Sequence, residues 1–184
     1  LMPQNRESLS MFLTMGLNSK SDIGGKSSAA YLQEMLNDFF HFDDQSNLYL
    51  ATSLFNKEKE VRAMAVEVIL AAINENRLDT TALGKHLGML LSNGYGPIGR
   101  CVEVLEQCRD ISSKHNNALL QLLDAAFSHY SIAEKMPTSF KKIIEYYYDL
   151  MNKEQYHIPD NLQQVFGKLE IYKSLQPILK KIRK

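Results

Sequence analysis

The sequence predicts an all-α fold, an α-α superhelix (a solenoid) of paired antiparallel helices, on three observations. Apolar residues recur at the helical period in almost every segment, and none alternates convincingly at the strand period. The stripes come with residues suited to caps and stops. Paired in order, the helices form units that begin near Gln45, Asp79, His115 and Ile158, a spacing of roughly 35–45 residues that suits two-helix repeats. Identity between the units is poor, so the repeat rests on helix rhythm. A compact irregular bundle is the alternative architecture.

The elements follow in chain order. Helices are expected near Arg6–Met15, Ser27–Phe40 and Ser46–Phe55, with an Asn/Ser/Asp/Gly loop around Asn18–Gly25. The clearest helix runs from about Lys57 to Glu75. Val61, Met64, Ala65, Val68, Ile69, Ala72 and Ile73 cover one broad arc, and Glu60, Glu67 and Asn74 cluster opposite. So apolar a helix touches neighbours on several sides. Asp79 is placed to cap a helix carrying Leu83, Leu87, Leu90 and Leu91, with Gly94 as its stop. Pro97 fits the first turn of a helix with Ile98, Val102 and Leu105. Asn116 or Asn117 is the expected cap of a helix with Leu119, Leu122, Leu123, Ala126, Phe127 and Tyr130. Thr138 is the expected cap of one with Phe140, Ile143, Ile144, Tyr147, Leu150 and Met151. Asp160 is expected to cap a short helix with Leu162, Val165, Phe166 and Leu169, and Ser174 to open the last, whose first turn tolerates Pro177. The chain then reads as one domain, residues 1–184, irregular over about 1–45 and built of helix pairs over about 46–184.

Composition narrows the function classes. The 184 residues carry 21 Lys plus Arg and 21 Asp plus Glu, a net charge of zero that removes a global electrostatic case for nucleic acid. Hydrophobic residues make up 45%, enough for a packed core. Two cysteines do not make a disulfide scaffold. No apolar run approaches the roughly 20 residues of a membrane-spanning helix, and the first residues, Leu1 to Glu7, do not read as a signal peptide. A start at Leu1 is expected of a fragment of a longer protein.

Glu60-Val61-Arg62-Ala63-Met64-Ala65-Val66-Glu67-Val68-Ile69 resembles the second helix of a HEAT repeat, in which a Val-Arg pair precedes an Ala-rich apolar stripe. Further on come Asn76-Arg77-Leu78-Asp79, Ala82-Leu83-Gly84, Leu90-Leu91-Ser92-Asn93-Gly94, then Pro97 and Arg100. Together these resemble the C-terminal HEAT-like (armadillo-type) region of a large bacterial family of unknown function, over Asn47 to Lys184. The resemblance implies a HEAT-like solenoid and a bacterial cytoplasmic protein, and it implies no chemistry.

Motifs for chemistry are incomplete. Gly24-Gly25-Lys26-Ser27-Ser28 lacks the first glycine of a phosphate loop, since Lys20 holds that place, and no strand precedes it. A flexible loop leading to a helix cap accounts for it. Cys101 and Cys108 share a helix face, but seven residues rise about 10.5 Å, beyond the roughly 7 Å a disulfide spans. Buried, reduced, metal-free thiols are expected. His41, His86, His115, His129 and His157 are scattered singly, and Asp43-Asp44 reads as a polar turn. No catalytic, cofactor-binding or metal-binding residues are assigned.

Three positions are singled out. Arg62 lies on the apolar face of its helix, where its stem packs and its guanidinium reaches outward. By resemblance to HEAT repeats it bonds to a carboxylate or to loop carbonyls of an adjoining repeat, with Asp43, Asp44 or Asp79 as expected acceptors. In the run Tyr146-Tyr147-Tyr148, Tyr147 falls in the core arc, while Tyr146 and Tyr148 flank it as candidate partner contacts. Six basic residues from Lys168 onward (Lys168, Lys173, Lys180, Lys181, Arg183, Lys184) face Glu170 alone, which suits a solvated final cap. The expected function is therefore a non-catalytic scaffold that presents a surface to another protein or to the rest of its own chain, without cofactor, metal or membrane. A nucleic-acid-binding repeat using the basic end is the alternative, and an enzyme with a dispersed site comes third.

Overall fold

The computed structural model describes residues 44–54, 56, 58–92, 103–104, 115–130 and 138–183. Among the described residues there are seven longer helices and no strand: α1 (Asp44–Ser53), α2 (Lys59–Asn74), α3 (Thr80–Ser92), α4 (Asn116–Ser128), α5 (Thr138–Glu154), α6 (Asp160–Leu169) and α7 (Gln176–Ile182). The all-α expectation holds there. The expected helices near 6–15, 27–40 and after Pro97, the Gly94 stop, the Gly24–Ser28 loop, and Cys101 and Cys108 lie outside the described residues.

Local chemistry explains the boundaries. Before α2 the Asn56 side chain accepts the Glu58 N–H at 2.9 Å, so the helix proper begins at Lys59, two residues after the expected start near Lys57. At its other end Asn76 takes a left-handed conformation, φ 54°. The Arg77 N–H then reaches the Ala72 carbonyl and the Asn76 N–H the Ile73 carbonyl, a Schellman closure. Asp79 caps α3 as expected: its Oδ1 accepts the N–H groups of Thr81 at 2.8 Å and Ala82 at 3.3 Å. Other expected caps are displaced. His115 precedes α4 without a side-chain cap bond, because Asn116 Nδ2 donates to Glu154 Oε1 instead, at 2.5 Å. Thr138 and Asp160 are already the first residues of α5 and α6, and Leu175 rather than Ser174 precedes α7. Asp160 therefore acts on the positive end of α6 by charge.

Packing follows from these faces. α3 lies against α1 and α4, and α4 against α6, so these four form one row. α2 packs on α1 and α4, α5 on α4 and α7, and α7 on α6. α4 is thus central and apolar on nearly every side, with Leu119, Leu120, Leu122, Leu123 and Phe127 buried. Phe127 meets Tyr147, Phe166 and Phe140 edge-on at 5.3, 5.4 and 6.2 Å between ring centroids, and Tyr130 stacks on Phe140 at 4.6 Å. No helix of the described residues is long and apolar enough to cross a membrane.

The closest approach is between α3 and α4. A Cβ on Gly84 would lie 2.7 Å from the Ala125 carbonyl carbon and 2.9 Å from its Cα. One on Gly88 would lie 2.5 Å from the Ala126 carbonyl oxygen. Glycines one turn apart let the two backbones touch. In an open helix, Gly→Ala stabilises by about 1 kcal/mol. At Gly84 the added methyl has no room, and overpacking of this kind costs about 1–3 kcal/mol. Gly167 in α6 is the internal control, since a Cβ there meets only Arg183 side-chain atoms at ordinary distances of 3.8–4.0 Å. Urea denaturation is therefore expected to show Gly84→Ala less stable than the parent and Gly167→Ala more stable. Equal shifts would contradict the close approach.

Candidate functional site

The most unusual chemistry among the described residues is a carboxylate in the middle of α4. Asp124 follows Leu122 and Leu123 on the helix and keeps only 8% of its surface. Two phenols satisfy it. The Tyr147 hydroxyl, from fully buried Tyr147 on α5, donates to Oδ1 at 2.6 Å. The Tyr156 hydroxyl donates to Oδ2. Burial pushes the Asp124 carboxyl above its ordinary value, and the two phenol bonds pull the other way. The tyrosines are raised too, by burial first and then by the adjacent carboxylate. All three are held in place as a structural knot.

Tyr156 reaches the knot because of how α5 ends. Gln155 is left-handed, φ 50°, and the Tyr156 N–H bonds the Met151 carbonyl at 2.9 Å while the Gln155 N–H bonds that of Asn152. The same turn opens a recess of about 620 Å³ between the end of α5, the connection to α6, and α7. Its apolar lining is Met151, Ile158 and Ile182, with the rings of Tyr148 and Tyr156 beside them. Its polar lining is Asn152, Gln155, His157, Gln163, Lys181 and Arg183. Lys181 Nζ stands 5.9 Å from the Tyr148 ring centroid, a cation–π placement. Arg183 is tied to Glu170 at 2.5 Å.

The expected site residues fall as follows. Arg62 is buried on α2, at 4% exposure, and bonds outward in two directions. Its Nη1 donates to the Asn56 carbonyl at 2.7 Å, and its Nη2 pairs with Glu103 Oε2 at 2.9 Å. A carboxylate and a loop carbonyl are the acceptor types expected of it, but the residues differ. Asp79 spends its carboxylate on the α3 cap, so its assignment as an Arg62 acceptor is corrected; Asp43 and the Asp44 side chain lie outside the described residues. Tyr147 is core as expected. Tyr146 is buried at 8%, which corrects its assignment as a surface contact: a ring so covered has little to offer a partner. Tyr148 is half-buried and lines the recess. His115 is buried, with Nδ1 2.7 Å from Asn74 Nδ2, while His86 is half-buried on the flank of α3. Among the described residues no three His, Cys, Asp or Glu side chains gather closely enough to hold a metal ion. Reasoning from sequence missed Asp124 and Tyr156.

The Asp124 shift makes stability depend on pH. Because its native pKa lies above the ordinary 3.8, the folded state keeps a proton that the unfolded state has released in that window. The stabilisation from this site is therefore present at and below the ordinary value and is lost as pH rises through the raised one. A series of urea midpoints from acid to neutral pH is expected to carry this falling component, and Asp124→Asn is expected to remove it. Tyr147→Phe, which leaves a buried carboxylate oxygen short of a donor, is expected to cost about 1–3 kcal/mol at neutral pH.

No curated protein and no solved structure matches the chain. A model of the family described as Domain of unknown function (DUF7825) matches residues 1–184. The match covers the whole chain, which therefore belongs to that family.

Proposed function

We propose that this chain is a non-catalytic, HEAT-like helical-repeat scaffold, cytoplasmic, that binds another protein at its C-terminal helix pairs. The observation that carries the reading is the neighbour order of the helices. α1, α3, α4 and α6 succeed one another in a row, and α5 and α7 pair alongside that row. Such alternation is what stacking of two-helix units produces. Arg62 supports it, joining α2 to Glu103 across 41 residues of sequence, about one unit of the rhythm. The recess beside Tyr148 supplies an open concave surface at the last pairs.

The test is recovery of the full-length protein from its native host after mild crosslinking. A stoichiometric partner is expected, with crosslinks concentrated on α5 and α7, and Lys181→Ala, at unchanged thermal stability, or Tyr148→Ala, assayed well below its own melting temperature, should lose it. A partner retained equally by both variants, or crosslinked elsewhere, overturns the placement of the surface. Arg62→Leu keeps the bulk of the stem and deletes the charge-assisted bonds, so it is expected to lower stability by about 1–3 kcal/mol and still recover the partner. If it melts like the parent but loses the partner, Arg62 belongs to the binding surface.

A further inference from the structure

The recess at the end of α5 has an uneven chemistry. Its described lining includes the cations Lys181 and Arg183 and three side-chain amides, but no carboxylate. Arg183 is half neutralised by Glu170. Lys181 is exposed, lies beside the Tyr148 ring, and has no carboxylate among the described residues within ion-pair distance. The apolar surface left open beside these groups is that of half-buried Ile158 and of the half-buried Tyr148 and Tyr156 rings, since Met151 and Ile182 are nearly covered. One wall is rigid, because the Tyr156 hydroxyl is bonded to Asp124 in the core. About 620 Å³ falls within the range of small pockets.

We propose that this recess binds an acidic peptide: an extended segment of a partner protein that sets a carboxylate against Lys181 and an adjacent apolar side chain against Ile158 and the Tyr148 and Tyr156 rings. The inference rests on the scaffold reading above and names the chemistry of its partner. Charge complementarity selects an anion, and the apolar surface selects one that carries hydrocarbon beside the charge. A free phosphate gains nothing from Ile158 and the rings beside it. A nucleic-acid strand needs several unpaired cations along its backbone and free aromatic faces for its bases. Here Lys181 already stands over the Tyr148 ring, and Arg183 is committed to Glu170. The amides of Asn152, Gln155 and Gln163 suit a peptide, since they both donate to and accept from main-chain groups.

The test is selection of a randomised heptapeptide display library on the whole protein, followed by fluorescence polarisation with the enriched peptides. Enrichment of Asp or Glu next to Leu, Ile or Phe is expected, with affinity falling as salt rises. Lys181→Glu is expected to weaken the enriched peptides at least tenfold with unchanged melting temperature, and Tyr148→Ala to weaken them likewise when assayed well below its own melting temperature. Lys142→Glu, on an exposed position of α5 outside the recess, is expected to leave them unchanged. No enrichment, enrichment of basic sequences, or binding indifferent to Lys181→Glu overturns the inference. So does displacement of the peptides by a single-stranded oligonucleotide that binds more tightly than they do, which would favour nucleic acid. Failure here is separable from failure of the scaffold reading. If the cellular partner depends on Tyr148 and Lys181 yet no acidic peptide binds, the scaffold stands and the acidic-peptide chemistry falls.

Discussion

Backbone contact between α3 and α4 is the constraint on which the other packing rests. Gly84 and Gly88 face Ala125 and Ala126 so closely that neither glycine has room for a methyl group. Two glycines inside a helix cost about 1 kcal/mol each relative to alanine, and the interface offsets that by close van der Waals contact over a full turn. The approach also fixes where α4 lies. α1 packs on α3, and α2, α5 and α6 gather around α4. A shift of α4 by the width of a side chain would disturb each of those contacts together, because interiors packed to crystal density do not deform locally.

Centrality has an electrostatic consequence. A helix packed against four others keeps only a narrow solvated face, at Asn117, Gln121 and Ser128, and Asp124 does not lie on it. Burial of a carboxylate is costly unless its oxygens are bonded, and α5 answers with Tyr147 from its body and Tyr156 from the turn beyond its end. The second donor depends on backbone geometry. Gln155 adopts a left-handed conformation that favours glycine, and the closure it permits turns Tyr156 back toward α4. Glycine at that place would relieve the backbone while loosening the chain on either side. Interior and surface are thereby coupled, since the residue that completes the core knot also walls the recess.

Much of this was readable in the sequence, and the reasons for the rest are physical. The α2 stripe, the α5 core arc and the Asp79 cap depend on residues within a few positions of one another, so local period and cap chemistry suffice. The displaced caps show where that stops. Asn116 has the side chain of a cap, but Glu154 lies close enough to claim its amide, and no local rule sees a residue 38 positions away. Arg62 divides the same way: its burial and the kind of acceptor follow from the helix wheel and the HEAT resemblance, while the identity of Glu103 depends on how units meet. Two signals were present and passed over. Gly84 and Gly88, four residues apart inside a leucine stripe, mark a close crossing, and Asp124 inside an apolar run marks a buried polar partner. Tyr156 carried no comparable mark.

Polar burial and surface chemistry divide between the two ends of the described stack. Toward α2, Arg62 and His115 are turned inward and bonded, to Glu103 and the Asn56 carbonyl and to Asn74 respectively. Such pairs fix how the segments that carry them pack, and a charge used there is withdrawn from any partner. Toward α7 the arrangement inverts. Asp124 consumes its two phenols internally, whereas Lys168, Lys173, Lys180 and Lys181 remain exposed. A zero net charge over 184 residues therefore conceals a local field. Exposed cations only near the final helices would merely keep a terminal cap hydrated. What changes their meaning is that one of them, Lys181, stands by an aromatic ring in a recess that also leaves Ile158 and the Tyr156 ring partly open. Ionic attraction in water is weak and screened, but beside an apolar surface the same ammonium gains a partner's desolvated area as well as its charge. The recognition proposed at this end rests on that juxtaposition, which the fold makes by ending α5 with a reversal instead of a fray.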